Sequence, residues 1–140
     1  MIMHEIPNEF YHAEDKILTV AAETKAIGAV ELDLLAEFDR VCKRLSLKYT
    51  IAYGTLLGAV RHKGFIPWNN DVDVLMLRKD YEILCAHADE FKHPYFLQNE
   101  EFDPGSGRGH GQLRNSSTTG ILKSDMLNGE ARYSFNQGIF

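Results

Sequence analysis

The chain has 140 residues, 44% hydrophobic and 25% charged, an ordinary globular composition that fits one domain able to bury roughly two thirds of its unfolded surface. Its 15 basic and 20 acidic residues leave a formal net charge of -5, which argues against nucleic acid as a partner and against broad binding to an anionic membrane. No run reaches the roughly 20 apolar residues needed to span a bilayer, so no transmembrane segment is expected and any membrane association would be peripheral.

Residues 1–26 read as a lead-in whose start, MIMHEIPNEF, has neither a basic n-region nor an apolar h-region. The domain is expected over residues 27–140. From Ile27 to Leu45 the apolar residues Ile27, Val30, Leu34, Leu35, Phe38, Val41, Cys42 and Leu45 recur at helical steps. Glu31, Asp33, Glu37, Arg40, Lys43 and Arg44 fill the gaps, which predicts an amphipathic helix. Tyr49 to Tyr53, rich in β-branched and aromatic residues, predicts a short strand that stops at Gly54. Gly54 and Thr55 then form a strand-to-helix turn, with Thr55 as the cap of a short helix through Leu56, Leu57, Ala59 and Val60, and Gly64 and Pro67 as its stop signals.

A second strand is expected over Asp71–Met76, where Val72, Val74 and Met76 alternate with Asp71, Asp73 and Leu75. Asp80 is expected to cap another amphipathic helix carrying Tyr81, Leu84, Cys85, Ala88 and Phe91. Beyond Pro94, YFLQ predicts a strand, FDPGSGRGHG a glycine-rich loop, QLRNSSTTGIL a polar or edge strand, and NQGIF the opening of another. Cys42 and Cys85 are far apart and lack zinc-ligand spacing, so reduced thiols in a cytoplasmic protein are expected. The oligomeric state is not readable from these patterns.

Two aspartates one residue apart on a strand would project to one face with α-carbons roughly 6.6 Å apart, leaving Val72 and Val74 to a core. At about 6 Å and an effective dielectric near 20 their repulsion is on the order of 2 to 3 kcal/mol, which a bound cation would offset. Mg²⁺ or Mn²⁺ held by Asp71 and Asp73 fits this pattern, because such ions take one or two carboxylates together with substrate phosphate oxygens. Gly54 would let backbone approach a phosphate, Thr55 would add a hydroxyl, and the following helix would aim its N-terminal amides at the anion. Glycine, hydroxyl and acid pair together point to phosphoryl or nucleotidyl transfer. Arg61, His62, Lys63, Arg78 and Lys79 flank the pair and are candidates to hold diphosphate, Arg61 and Arg78 foremost. Trp68 is open to two readings, a base-stacking ring or a hydrophobic plug beside Pro67. The glycines from Gly105 to Gly111 lack a GK[ST] ending, which argues against a P-loop.

As one ordered string, YGTLLGAVRHKGFIPWNNDVDVLMLRKDYE from Tyr53 to Glu82 resembles the signature of the LicD family, within the nucleotidyltransferase-fold superfamily. Looser similarity runs through FDRVCKRLSLKY, PYFLQN, LRNSSTTGI and NQGIF. The resemblance implies an α/β fold, a small nucleotidyltransferase-like mixed sheet with flanking helices. It also implies transfer of phosphocholine or a related phospho-alcohol from a CDP-linked donor such as CDP-choline to a cell-surface glycan, teichoic acid or lipopolysaccharide. On it, Gly54 and Thr55 match the superfamily's Gly-Ser/Thr element, and Asp71 and Asp73 its metal-binding pair. Asn69 and Asn70 stand where members usually read PWDDD. The family pattern also continues past the final GIF into a strand with a third aspartate, so the chain reads as incomplete on its C-terminal side, with Asp125 and Glu130 as unsupported substitutes for that acid. A catalytically degenerate module that binds nucleotide or a protein is the alternative, and an AMP-transferring nucleotidyltransferase a third reading.

Overall fold

The computed structural model describes residues 12–13, 16–17, 22–69, 71–104 and 109–118. Helices and strands are interspersed along them, the mixture of α and β expected, and every strand pairing among the described residues is antiparallel, within a two-stranded sheet. The closing NQGIF, Asp125 and Glu130 lie outside the described residues, as does Asn70. The chain gathers into two compact units, Met1–Leu84 and Cys85–Phe140.

In the first unit a short ladder joins β1 (His12–Ala13) to β2 (Lys16–Ile17). Helix α1 (Ala22–Leu45) begins upstream of the predicted Ile27 and buries Gly28, Glu31, Leu34, Phe38, Val41 and Cys42, a stripe at three- and four-residue steps. Full burial of a side chain such as Val41 contributes roughly 1.5 to 3 kcal/mol. The helix ends where Ser46 turns left-handed at φ 57°, its amide bonding to the Lys43 carbonyl and the Leu47 amide to the Cys42 carbonyl, with buried Leu47 sealing the turn.

Strand β3 (Tyr49–Ile51) pairs with β4 (Val74–Met76), register Tyr49 with Met76 and Ile51 with Val74. Tyr49, Ile51, Val74 and Met76 are half-buried while Thr50 and Leu75 face solvent, the period of two expected of a one-sided ladder. Tyr49 meets α1 twice: its ring packs edge-on to Phe38 at 5.0 Å, and its hydroxyl donates to Asp39 at 3.0 Å. Lys43 also binds Asp39, and its hydrogen bond is the main reason that carboxyl titrates below its usual range.

Helix α2 (Tyr53–Arg61) lies between the paired strands in sequence. Its large apolar residues point outward: Tyr53, Leu56, Leu57 and Val60 are all exposed, and Gly58 is its buried residue. The inward side is made of small residues because the following loop comes too close for anything larger. A β-carbon on Gly58 would sit 2.5 Å from the Gly64 carbonyl oxygen, and one on Gly54 would sit 3.0 Å from the Asn69 amide. Just past the helix end Lys63 is left-handed at φ 59°, immediately before the stop signal Gly64. Helix α3 (Arg78–Ala86) follows β4.

In the second unit a single helical turn at Ala88–Glu90 leads to β5 (Tyr95–Gln98), which pairs with β6 (Gln112–Asn115) in the register Tyr95 with Asn115 and Gln98 with Gln112. The strands expected at YFLQ and at the start of QLRNSSTTGIL are both present. Buried Arg114 donates to the side-chain oxygens of Gln98 and Gln112, and Gln98 donates to Asp103 at 2.5 Å. These bonds satisfy a charge that the ladder would otherwise bury at a cost. No described helix is long and apolar enough to cross a membrane.

Candidate functional site

The acid segment is held by side chains in place of a ladder. The regular strand begins at Val74, so Asp71–Asp73 precede it, and the expected alternation across Asp71 to Val74 is not strand geometry. The backbone shows why. The Asp73 carbonyl accepts the Ala52 amide at 3.0 Å and continues the pairing by one bond, but the Asp73 amide donates to the Thr55 hydroxyl oxygen at 2.9 Å. One step earlier the Asn69 amide nitrogen donates to the Asp71 carbonyl at 3.0 Å and to the Asp71 carboxylate at 2.8 Å. Polar side chains that bond to nearby backbone displace regular structure in this way. Asp71, Val72 and Asp73 are all half-buried, so Val72 is not a core residue.

Thr55 is therefore not the helix cap predicted for it. Helix α2 starts at Tyr53, its N-cap is Ala52 in an extended conformation, and no side chain caps it. Thr55 lies within the first turn, and its oxygen is committed to Asp73. Gly54 and Thr55 thus stand at the helix start beside the acids, Gly54 under the Asn69 side chain. Tyr53, with φ 46°, carries the chain from strand into helix in a conformation that costs a non-glycine residue roughly 1 to 3 kcal/mol.

The basic candidates are engaged locally. Arg61 donates from Nε to His62 Nδ1 at 3.2 Å, and Arg78 lies over the Tyr81 ring at 5.6 Å. Buried His62 titrates below its ordinary value, chiefly through burial and then through Arg61. Trp68 is 71% exposed, with its ring perpendicular to that of His62 at 6.1 Å, which rules out the hydrophobic plug. Asp80 is also not a cap: it is the third residue of α3, buried, while the Leu77 carbonyl accepts the first helical amides.

Glu31 escaped the sequence reading. It was grouped with the polar residues between the apolar positions of α1, yet it is 1% exposed and neither carboxylate oxygen has a hydrogen-bond partner. Burial first, and then the charge of Asp71, push its carboxyl up to about 8. The signal was present in the spacing, because Glu31 is three residues before Leu34 and seven before Phe38, in register with the buried stripe.

Among the described residues no three His, Cys, Asp or Glu side chains gather into a metal cluster. The residues that fit a cation are carboxylate pairs, which suits Mg²⁺, an ion usually held by one or two carboxylates and completed by substrate phosphate and water. A cleft in the second unit, lined by residues that include Phe96, Gln98, Phe102 and Asp103, contains none of the acids or basic residues expected at the site.

Comparison with known proteins bears on the same segment. The family model described as LicD/FKTN/FKRP, nucleotidyltransferase domain, matches residues 46–133. A Haemophilus influenzae protein named lipopolysaccharide cholinephosphotransferase LicD is 49% identical over 51 residues, which are 36% of this chain and 19% of that protein. Uncharacterised proteins of Rickettsia typhi and Rickettsia prowazekii are 37% and 40% identical over 59 and 47 residues, 42% and 34% of this chain and 18% of each of theirs. The matches thus span about a fifth of the length of these relatives, and no solved structure matches the chain. With the family model covering Ser46 through Arg132 and on to Tyr133, across the Thr55–Asp73 tie and both acids, this chain belongs to the LicD/FKTN/FKRP nucleotidyltransferase-domain family.

Proposed function

We propose that the chain carries the donor-binding part of a phosphotransferase that moves phosphocholine, or a related phospho-alcohol, from a CDP-linked donor to a hydroxyl of a cell-surface glycan such as lipopolysaccharide or teichoic acid. The observation that supports this reading is the Thr55–Asp73 hydrogen bond, which ties the start of α2, with its N-terminal amides, to the backbone of the acid segment. In the transfer, the acceptor oxygen forms a bond to the donor phosphorus nearest the alcohol, the bond to the CMP oxygen breaks, and the acceptor proton leaves to a base. Mg²⁺ or Mn²⁺, when bound, supplies charge neutralisation for the diphosphate. Asp71 and Asp73 are assigned to hold that ion, Gly54 and Thr55 to approach the phosphates, and Arg61 and Arg78 to meet remaining diphosphate charge. The H. influenzae relative, named for choline phosphate transfer to lipopolysaccharide, supports the choice of alcohol and acceptor.

Calorimetric titration of the chain with CDP-choline, with and without Mg²⁺, tests this. Metal-dependent binding that vanishes when Asp71→Ala is combined with Asp73→Ala is the expected result, and unchanged binding in that double variant would sink the assigned roles.

One observation gives the alternative its footing. Asn69 occupies one Asp71 oxygen with a neutral donor, an arrangement suited to a module that holds nucleotide without turning it over. Release of CMP in the presence of glycan acceptor separates the two, since a binding module releases none.

A further inference from the structure

The cleft of the second unit has a volume of about 560 Å³, within the roughly 300–1,000 Å³ that small-molecule sites occupy. Phe96 and Gln98 are two residues apart on β5, so they share one face of the ladder with Arg114 and Gln112, their partners across it. On that face Gln98 is 3% exposed, and its side-chain amide is used at both ends. The oxygen accepts from Arg114 Nε, and the nitrogen donates to Asp103 Oδ2 at 2.5 Å. A buried guanidinium polarises that amide, so the series Arg114–Gln98–Asp103 holds the carboxylate by one oxygen more firmly than an isolated glutamine would. The turn after β5 is fixed separately. Buried Asn99 accepts the Phe102 amide on its side-chain oxygen at 2.9 Å and the Asp103 amide on its carbonyl at 2.9 Å. The turn thereby keeps Phe102 on the wall of the cleft beside Asp103, with 43% of its surface exposed.

The chemistry of these walls selects a class of ligand. Among the described residues Asp103 Oδ1 receives no hydrogen bond, and Gln98 Nε2 keeps its second hydrogen. An open acceptor beside an open donor suits a group that does both, which is a hydroxyl. A phosphate would meet the charge of Asp103, and a quaternary ammonium would meet the Arg114 guanidinium behind Gln98 while giving the amide hydrogen nothing to bind. The phenylalanine rings call for an apolar surface, and a pyranose has one where its axial C–H bonds, slightly positive at hydrogen, point to the electron-rich face of an aromatic ring. We propose that the cleft is a subsite for a neutral pyranose, with the C–H face of the sugar against Phe102 and its hydroxyls donating to Asp103 and accepting from Gln98. For the source of the sugar this rests on the phosphotransferase reading above and deepens it: the pyranose belongs to the acceptor glycan. All of the residues involved lie in the second unit, and none belongs to the acid segment. The ribose of a CDP-linked donor also has adjacent hydroxyls, but a furanose lacks the broad C–H face, and competition tells the two sources apart.

The probes are the methyl glycosides of glucose, galactose and N-acetylglucosamine, read by saturation-transfer NMR on the full 140-residue chain, with sorbitol as an open-chain polyol control. At least one pyranoside should receive saturation, strongest at the protons of one ring face, and sorbitol should receive none. Phe102→Ala and Asp103→Asn should each weaken binding roughly 10-fold, through loss of the ring contact and of a hydrogen bond to a charged acceptor. Asparagine at 103 still offers an oxygen to Gln98, so the melting temperature of Asp103→Asn should stay near wild type and the loss reads on the sugar. Asp71→Ala with Asp73→Ala should leave pyranoside binding unchanged. No transfer to any of the three glycosides, sorbitol bound as well as they are, or binding unaltered in both cleft variants would overturn the proposal. Displacement of the glycoside by CDP-choline would also overturn it, by giving the cleft to ribose. Failure of the glycosides alongside intact metal-dependent binding of CDP-choline would remove the subsite and leave the broader reading in place. Glycoside binding in a chain that does not bind CDP-choline would leave the sugar subsite standing and remove the phosphotransferase reading.

Discussion

The side-chain amide of Asn69 donates to the carboxylate of Asp71 at 2.8 Å while also holding the Asp71 backbone carbonyl at 3.0 Å. Asn69 thus clamps both the backbone and the side chain of Asp71. The neutral amide removes a like charge from beside Asp71 and sets the direction of its carboxylate.

Asn69→Asp should convert that clamp into repulsion. In chelator the variant is expected to lose about 1 to 2 kcal/mol, from two lost hydrogen bonds and a nearby like charge. Added Mg²⁺ should restore stability, because carboxylate is a better ligand than amide for a hard cation. Thermal melts in EDTA and in Mg²⁺ check this, and equal melting temperatures in EDTA would show that the amide does not hold Asp71.

Thr55→Val should strand the Asp73 amide, at a cost of about 1 to 3 kcal/mol. Thr55→Ser keeps the oxygen and should lie near wild type. Urea denaturation of the pair provides the comparison, and a valine variant as stable as the serine variant would refute the tie.

Gly58→Ala sets two effects against each other. Alanine favours a helix over glycine by about 1 kcal/mol, but its methyl would meet the Gly64 carbonyl oxygen at 2.5 Å, and overpacking of this kind costs about 1 to 3 kcal/mol. Backbone against backbone has little room to give, so net destabilisation is expected. A rise in the denaturation midpoint would contradict the close approach.

Glu31 imposes a pH dependence that can be isolated by difference. Its carboxyl is raised from 4.5 to about 8 on folding, so the folded state holds the proton over a range in which the unfolded state has released it. Below 4.5 both states are protonated and there is no effect. As pH rises from 4.5 towards 8, unfolding stability falls by at most about 1.4 kcal/mol per pH unit, and above 8 the loss is complete. Wild type minus Glu31→Gln, measured in chelator, should show this slope, and parallel pH profiles would reject it.

The elements with strong local patterns were legible in the sequence. The stripe Leu34, Phe38, Val41 and Cys42 announced α1, and YFLQ announced β5. What local pattern could not show was how close the chain returns to itself. Leu56, Leu57 and Val60 mark a short helix in the sequence, but which side of it is buried is decided by Gly58, where the Gly64 carbonyl leaves space for nothing larger. Thr55 read as a cap because threonine often is one, but its oxygen had a competing donor 18 residues on. Glu31 was hidden by its charge, since periodicity sorts charged residues to the outside before packing is known.

The Thr55–Asp73 bond also bears on the order of folding. It closes a span of 18 residues, and the Asn69 clamp a span of 2, and the entropy lost on closing a loop grows only with the logarithm of its length. The acid segment can therefore form on α2 without waiting for distant parts of the chain. Thr55→Val should then slow refolding more than it speeds unfolding, the mark of a contact made before the barrier is crossed. The acid loop of this chain is then an early, nearly self-contained unit that assembles from one contiguous stretch of sequence.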